Sequence, residues 1–171
     1  MSAAPTLVEQ FAPEALAEAQ RHAQWHAAWT DWVRPYRFDW MLRLSWASAA
    51  TEARAQRDVA HWFERLQRWR KECAAVVGIE RGPVGGLLHV HSLLYTGLPG
   101  HGPLSALEEA WHAEHVREAW PHGLVHLERY RPWRVKGGAD PRRGGAARYI
   151  TKEPAGVEVL GAWVRYQPRR R

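Results

Sequence analysis

The chain is poor in exactly one kind of cross-link and one kind of cation. It has a single cysteine, Cys73, among 171 residues. An intramolecular disulfide and a multi-thiolate metal cluster are therefore both excluded. Lysine is nearly missing: only Lys71, Lys136 and Lys152 occur, and arginine supplies the rest of the 24 cationic residues. No apolar run approaches the roughly 20 residues of a membrane-spanning helix. Met1 to Gln10 lacks the basic start and apolar block of a signal peptide, so the expected location is the cytoplasm, with no membrane partner. Internal repeats and low-complexity tracts are also lacking. What is abundant is tryptophan, with 11 residues, and positive charge, a formal +6. Arg169, Arg170 and Arg171 supply half of that excess. A basic balance suits a polyanionic partner, and an exposed indole can stack on bases.

Periodicity divides the chain into elements. Pro13 to Val33 reads as a helix with Trp25, Trp29 and Trp32 on one apolar face. Phe38 to Trp46 alternates with period two, placing Phe38, Trp40, Leu42, Leu44 and Trp46 on one side of a half-buried strand. Thr51 to Cys73 reads as a long amphipathic helix with Val59, Trp62, Phe63, Leu66 and Trp69 inward. Ala74 to Glu80 is a short apolar strand, followed by a Gly- and Pro-containing turn. Ser105 with Glu108 forms a capping box at the start of a helix running to Trp120. His122 to Arg131 alternates again. Ala146 to Glu153 reads as a short helix stopped by Pro154, and Val157 to Tyr166 as an edge strand. The resulting order, helix and then β-α-β-β-α-β, predicts an α+β fold. The expected architecture is a ferredoxin-like split β-α-β sandwich: an antiparallel sheet with helices on one face and an open face for ligands. The division expected is 1–35 as an N-terminal helical extension, 36–155 as the main domain, and 156–171 as a strand with a basic tail.

Leu87 to Tyr95 carries the chemistry. On a strand, Leu88, Val90, Ser92 and Leu94 point one way, while His89 and His91 point the other way, side by side. Polar groups in so apolar a strand need partners. Glu80, just before the hairpin turn, is placed to supply one if it pairs opposite His89 or His91. Two imidazoles and a carboxylate are a mixed N/O set suited to Mn²⁺ or, with waters, Mg²⁺; zinc is compatible as well. His126 and Glu128, which share a face of the later strand, are the alternatives for the third ligand. A second constellation lies at Arg148-Tyr149-Ile150-Thr151-Lys152. There Tyr149 and Lys152 stand one helical turn apart. A tyrosinate can attack a phosphodiester, and a neighbouring cation assists its formation. Tyr95, Tyr130 and Tyr166 read as structural. The pairs His22/His26 and His112/His115 read as surface residues of helices.

The strand Phe38 to Trp46, the histidine motif Leu87 to Leu94 and the motif Tyr149-Ile150-Thr151-Lys152 occur in one order. Together they resemble the HUH endonuclease superfamily, in particular the single-tyrosine initiators of rolling-circle replication of plasmids and phages. The resemblance spans roughly residues 36 to 155. It implies a nickase acting on single-stranded DNA at an origin or hairpin. His89, His91 and Glu80 would hold the divalent metal, and Tyr149 would be the nucleophile assisted by Lys152. Arg142, Arg143 and Arg148 would contact phosphates. No Gly-x-x-x-x-Gly-Lys-Ser/Thr loop occurs, so unwinding is expected from a separate helicase. Two other readings fit the same residues: an HUH transposase or relaxase, and a non-catalytic nucleic-acid-binding module on the same fold.

Overall fold

The computed structural model describes residues 7–33, 36, 38–82, 86–97, 105–130, 150 and 157–161, with backbone only for 7–14. In chain order the elements are α1 (Leu7–Val33), β1 (Trp40–Ser45), α2 (Glu52–Trp69), β2 (Ala74–Arg81), β3 (Leu88–Tyr95), α3 (Ala106–Glu118), β4 (Val125–Arg129) and β5 (Val157–Gly161). The strands form one sheet in the order β4-β1-β3-β2-β5, with every neighbouring pair antiparallel. The fold is thus α+β, as the element order implied. No helix among the described residues is long and apolar enough to cross a membrane.

The local signals explain the boundaries. Thr51 caps α2, its hydroxyl accepting from the Arg54 amide at 3.2 Å. The Ser105–Glu108 capping box opens α3 as expected, with both reciprocal bonds formed. Each satisfies amides that the first helical turn leaves without intrahelical partners. The α2 helix ends at Trp69 rather than Cys73, because the chain turns there into β2. Cys73 is buried, and burial pushes its thiol up to about 12, so it is not a reactive nucleophile.

The main core lies between one sheet face and two helices. Trp40, Leu42 and Leu44 of β1, Ala75 and Val77 of β2, and Val90 and Leu94 of β3 meet Val59, Trp62, Phe63 and Leu66 of α2. Ala113 and Val116 of α3 close the same layer. The α2 residues recur at intervals of three and four, which is why a single helix face covers them. Burying each large side chain contributes roughly 1.5–3 kcal/mol. Asp58 is buried on this side and ties three segments together. It accepts from Trp46 Nε1 at 2.7 Å, lies 3.4 Å from Arg54 Nε, and 3.7 Å from His122 Nε2.

The opposite face departs from expectation, because it is open over only part of its area. Val33 at the end of α1, Phe38, Val76, Leu93 and Ile150 form a second buried cluster there, flanked by Met41, Tyr95, Tyr130 and Val157. Leu93 and Val76 have the parity of the outward face and are apolar, so they require cover. Phe38 belongs to this cluster and not to the face of Trp40. It precedes the start of β1, so strand alternation does not govern it; its ring packs edge-on to Tyr130. The tryptophans of α1 also differ from expectation. Trp25 is 61% exposed and Trp32 is exposed too, whereas Thr30 and Val33 are buried. Only the C-terminal end of the helix meets the sheet cluster, so the indole spacing does not mark the buried side.

Candidate metal and phosphate site

The hairpin from β2 to β3 sets the site. Its register places Glu80 opposite His89 and Gly78 opposite His91. Opposed residues share a face, so Glu80, His89 and His91 all lie away from α2 and α3. The diagonal neighbours make the contact: His91 Nε2 stands 2.9 Å from Glu80 Oε1, an N–H donating to a carboxylate. Both side chains are almost withdrawn from water, at 4% and 9% exposure. His89 is half-buried beside them. Its Nε2 edge lies against Gly82, where a Cβ would collide with the ring, and its buried Nδ1 has no hydrogen-bond partner among the described residues.

Two of the three expected metal ligands are therefore brought into direct contact, and the third is adjacent on the same face. Among the described residues no three His, Cys, Asp or Glu side chains converge tightly enough to hold a metal as they stand. The donor set nevertheless fits a divalent ion. His91 would supply an imidazole nitrogen and Glu80 a carboxylate oxygen, with His89 beside them on the same face. The buried Nδ1 of His89, without a hydrogen-bond partner among the described residues, is a further nitrogen donor on the same face.

The alternative ligands stand elsewhere. His126 Nε2 and Glu128 Oε1 are 2.7 Å apart on β4, both well exposed at 59% and 61%. In register, His126 lies opposite Arg43 of β1, and Arg43 opposite His91. One strand thus separates the two histidine–glutamate pairs. Arg43 was missed in the reading of the motifs. Its signal was present in β1: if Trp40, Leu42 and Leu44 face the core, Met41 and Arg43 face the histidines.

Tyr149, Lys152, Arg142, Arg143 and Arg148 lie outside the described residues. Ile150, which follows Tyr149 in sequence, is described. It is helical, buried, and packs into the second cluster. Its backbone carbonyl fills the space over Gly78, where any Cβ would collide with it. Gly78 is the register partner of His91 and lies two residues before Glu80 on β2, so Ile150 is held beside the strands that carry the His91–Glu80 pair. Tyr130 is a poor nucleophile, because burial pushes its phenol up to about 12. His112 corrects the expectation of a surface residue. It is buried between α2 and α3 against Trp69, and burial lowers its pKa, with Arg70 and His115 next in effect. His115 stacks on Trp69 and donates from Nδ1 to the Trp111 carbonyl, 2.9 Å away.

The chain matches no family model, no curated protein and no solved structure.

Proposed function

We propose that this protein nicks and rejoins single-stranded DNA by metal-dependent tyrosine transesterification, as an HUH-type initiator of rolling-circle replication. In this reading the β-α-β-β-α-β order and the strand order β4-β1-β3-β2 correspond to a ferredoxin-like split β-α-β sandwich, with β5 added at one edge. The observation that carries the reading is the paired Glu80 and His91 on the face away from α2 and α3, with Ile150 packed over Gly78, the register partner of His91.

Glu80, His91 and His89 are the residues to hold the cation, Mg²⁺ or Mn²⁺, which when bound supplies Lewis-acid charge to the scissile phosphate. The Tyr149 phenol loses its proton, and its oxygen attacks phosphorus. The bond to the 3′ oxygen breaks, and that oxygen takes up a proton. The products are a 5′-phosphotyrosine and a free 3′-hydroxyl. Attack of a 3′-hydroxyl on the phosphotyrosine reverses the sequence and rejoins a strand, so no nucleotide is consumed. Lys152 places positive charge by the phenolate, lowering the cost of forming it at neutral pH. Arg142, Arg143 and Arg148 add phosphate contacts.

The test is formation of a covalent protein–DNA adduct with labelled single strands from the DNA flanking the gene, in the presence of Mn²⁺. Tyr149→Phe is expected to abolish the adduct. His89→Ala is expected to abolish cleavage while keeping most DNA binding. An adduct that survives Tyr149→Phe removes the assigned nucleophile. DNA binding with no adduct on any flanking strand leaves the non-catalytic binding module. Transfer of the bound strand into a new target distinguishes a transposase from an initiator.

A further inference from the structure

The outward sheet face has two halves of different character. Over β2 and β3 it is covered by Val33, Phe38 and Ile150. Over β1 and β4 it carries Arg43, His126 and Glu128, all exposed. Arg43 sits on the seam. Its neighbour on one side is the buried His91, and on the other the exposed His126. Of the two carboxylates on this face, Glu80 is engaged with His91 and Glu128 with His126. Among the described residues Arg43 has no ion-pair partner. An arginine on a central strand, beside two engaged carboxylates and paired with neither, is a guanidinium available to an external anion. Its planar fork of donors matches a phosphate better than an ammonium does.

We infer that Arg43 is a phosphate-binding residue, and that a single-stranded nucleic acid lies along the open β1–β4 half of the sheet face with one phosphate on its guanidinium. Neighbouring strands are about 4.8 Å apart. A phosphate on Arg43 is therefore one strand from the His91–Glu80 pair, and the next phosphate along the chain can be presented to that pair. Glu128 opposes the same strand electrostatically, while its carboxylate is engaged with His126 Nε2 at 2.7 Å. This inference rests on the nicking reading for the identity of the polymer, and the arrangement of charges supports it separately.

The experiment measures fluorescence anisotropy of a labelled single-stranded oligonucleotide of mixed sequence, in a Tyr149→Phe background so that only reversible binding is read. Arg43→Gln is expected to weaken binding roughly fivefold to tenfold and to reduce the slope of log affinity on log salt by about 0.7, one phosphate contact on a single strand. Arg43→Lys is expected to restore part of the loss, and Glu128→Gln to tighten binding about twofold. Arg68→Gln and Glu64→Gln, exposed on α2 behind the sheet, serve as controls and are expected to change affinity by less than about twofold. The inference is overturned if Arg43→Gln weakens binding no more than Arg68→Gln, or if the Tyr149→Phe protein binds no single strand. Adduct formation by protein with Tyr149 intact separates the two proposals. Adducts together with Arg43-independent binding defeat this inference alone. Arg43-dependent binding without adducts defeats the nicking reading and supports the phosphate site.

Discussion

Two histidine–glutamate pairs share one face of the sheet, separated by a single strand; one joins two strands out of reach of water, the other lies within one strand in contact with it. His91 and Glu80 meet at 2.9 Å with both side chains nearly buried. His126 and Glu128 meet at 2.7 Å with both well exposed. The shorter contact is the weaker one in consequence. Water screens the exposed pair and can replace either partner, so it contributes little to stability. Burial makes the other pair interdependent, because each group loses its hydration and the contact between them is hardly screened. The same chemistry on one face therefore yields a surface contact on β4 and a buried contact that joins β3 to β2.

The comparison is broken or sharpened most strongly at His91. His91→Ala removes the imidazole bonded to the buried Glu80 carboxylate and is expected to destabilise the protein by about 3–5 kcal/mol, measured by denaturant unfolding. The wild-type melting temperature should rise with added Mn²⁺ by mass action, and this rise should vanish in His91→Ala while surviving His126→Ala. A Mn²⁺ shift dependent on His126 instead would move the metal site to β4.

A smaller effect is expected at the floor beside the buried pair. Gly78→Ala places a methyl group against the Ile150 carbonyl. The cost should be about 1–3 kcal/mol, the range for overpacking. A neutral result would mean that Ile150 does not dock over Gly78. The smallest effect belongs to the exposed pair. His126→Ala and Glu128→Ala should each change stability by less than about 1 kcal/mol in the same unfolding assay. A loss comparable to that of His91→Ala would erase the distinction between the pairs.

Much of the buried pair was legible in the chain. Strand alternation put His89 and His91 on one side, and a short hairpin between β2 and β3 made Glu80 their neighbour. The capping box of α3 and the inward face of α2 were equally plain, since each depends on residues within a turn or two. Three features were not legible. Phe38 lies ahead of the β1 ladder, where period two no longer applies. Trp25 and Trp32 share a helix face, but α1 meets the sheet only at its end. The cover over Leu93 and Val76 is assembled from Val33, Phe38 and Ile150, which are far apart in sequence.

The sequence by itself determined which side chains share a strand face, where the α2 and α3 helices begin, and that Glu80 and the histidines can meet. Those outcomes follow from local geometry: alternation, helical spacing, capping and a tight hairpin. Only the tertiary structure decided that Arg43 stands between His91 and His126, and that one histidine–glutamate pair is buried while the other faces water. Both depend on the order β4-β1-β3-β2-β5, which is built by pairing segments distant along the chain. No local pattern encodes a neighbour that arrives from another part of the sequence.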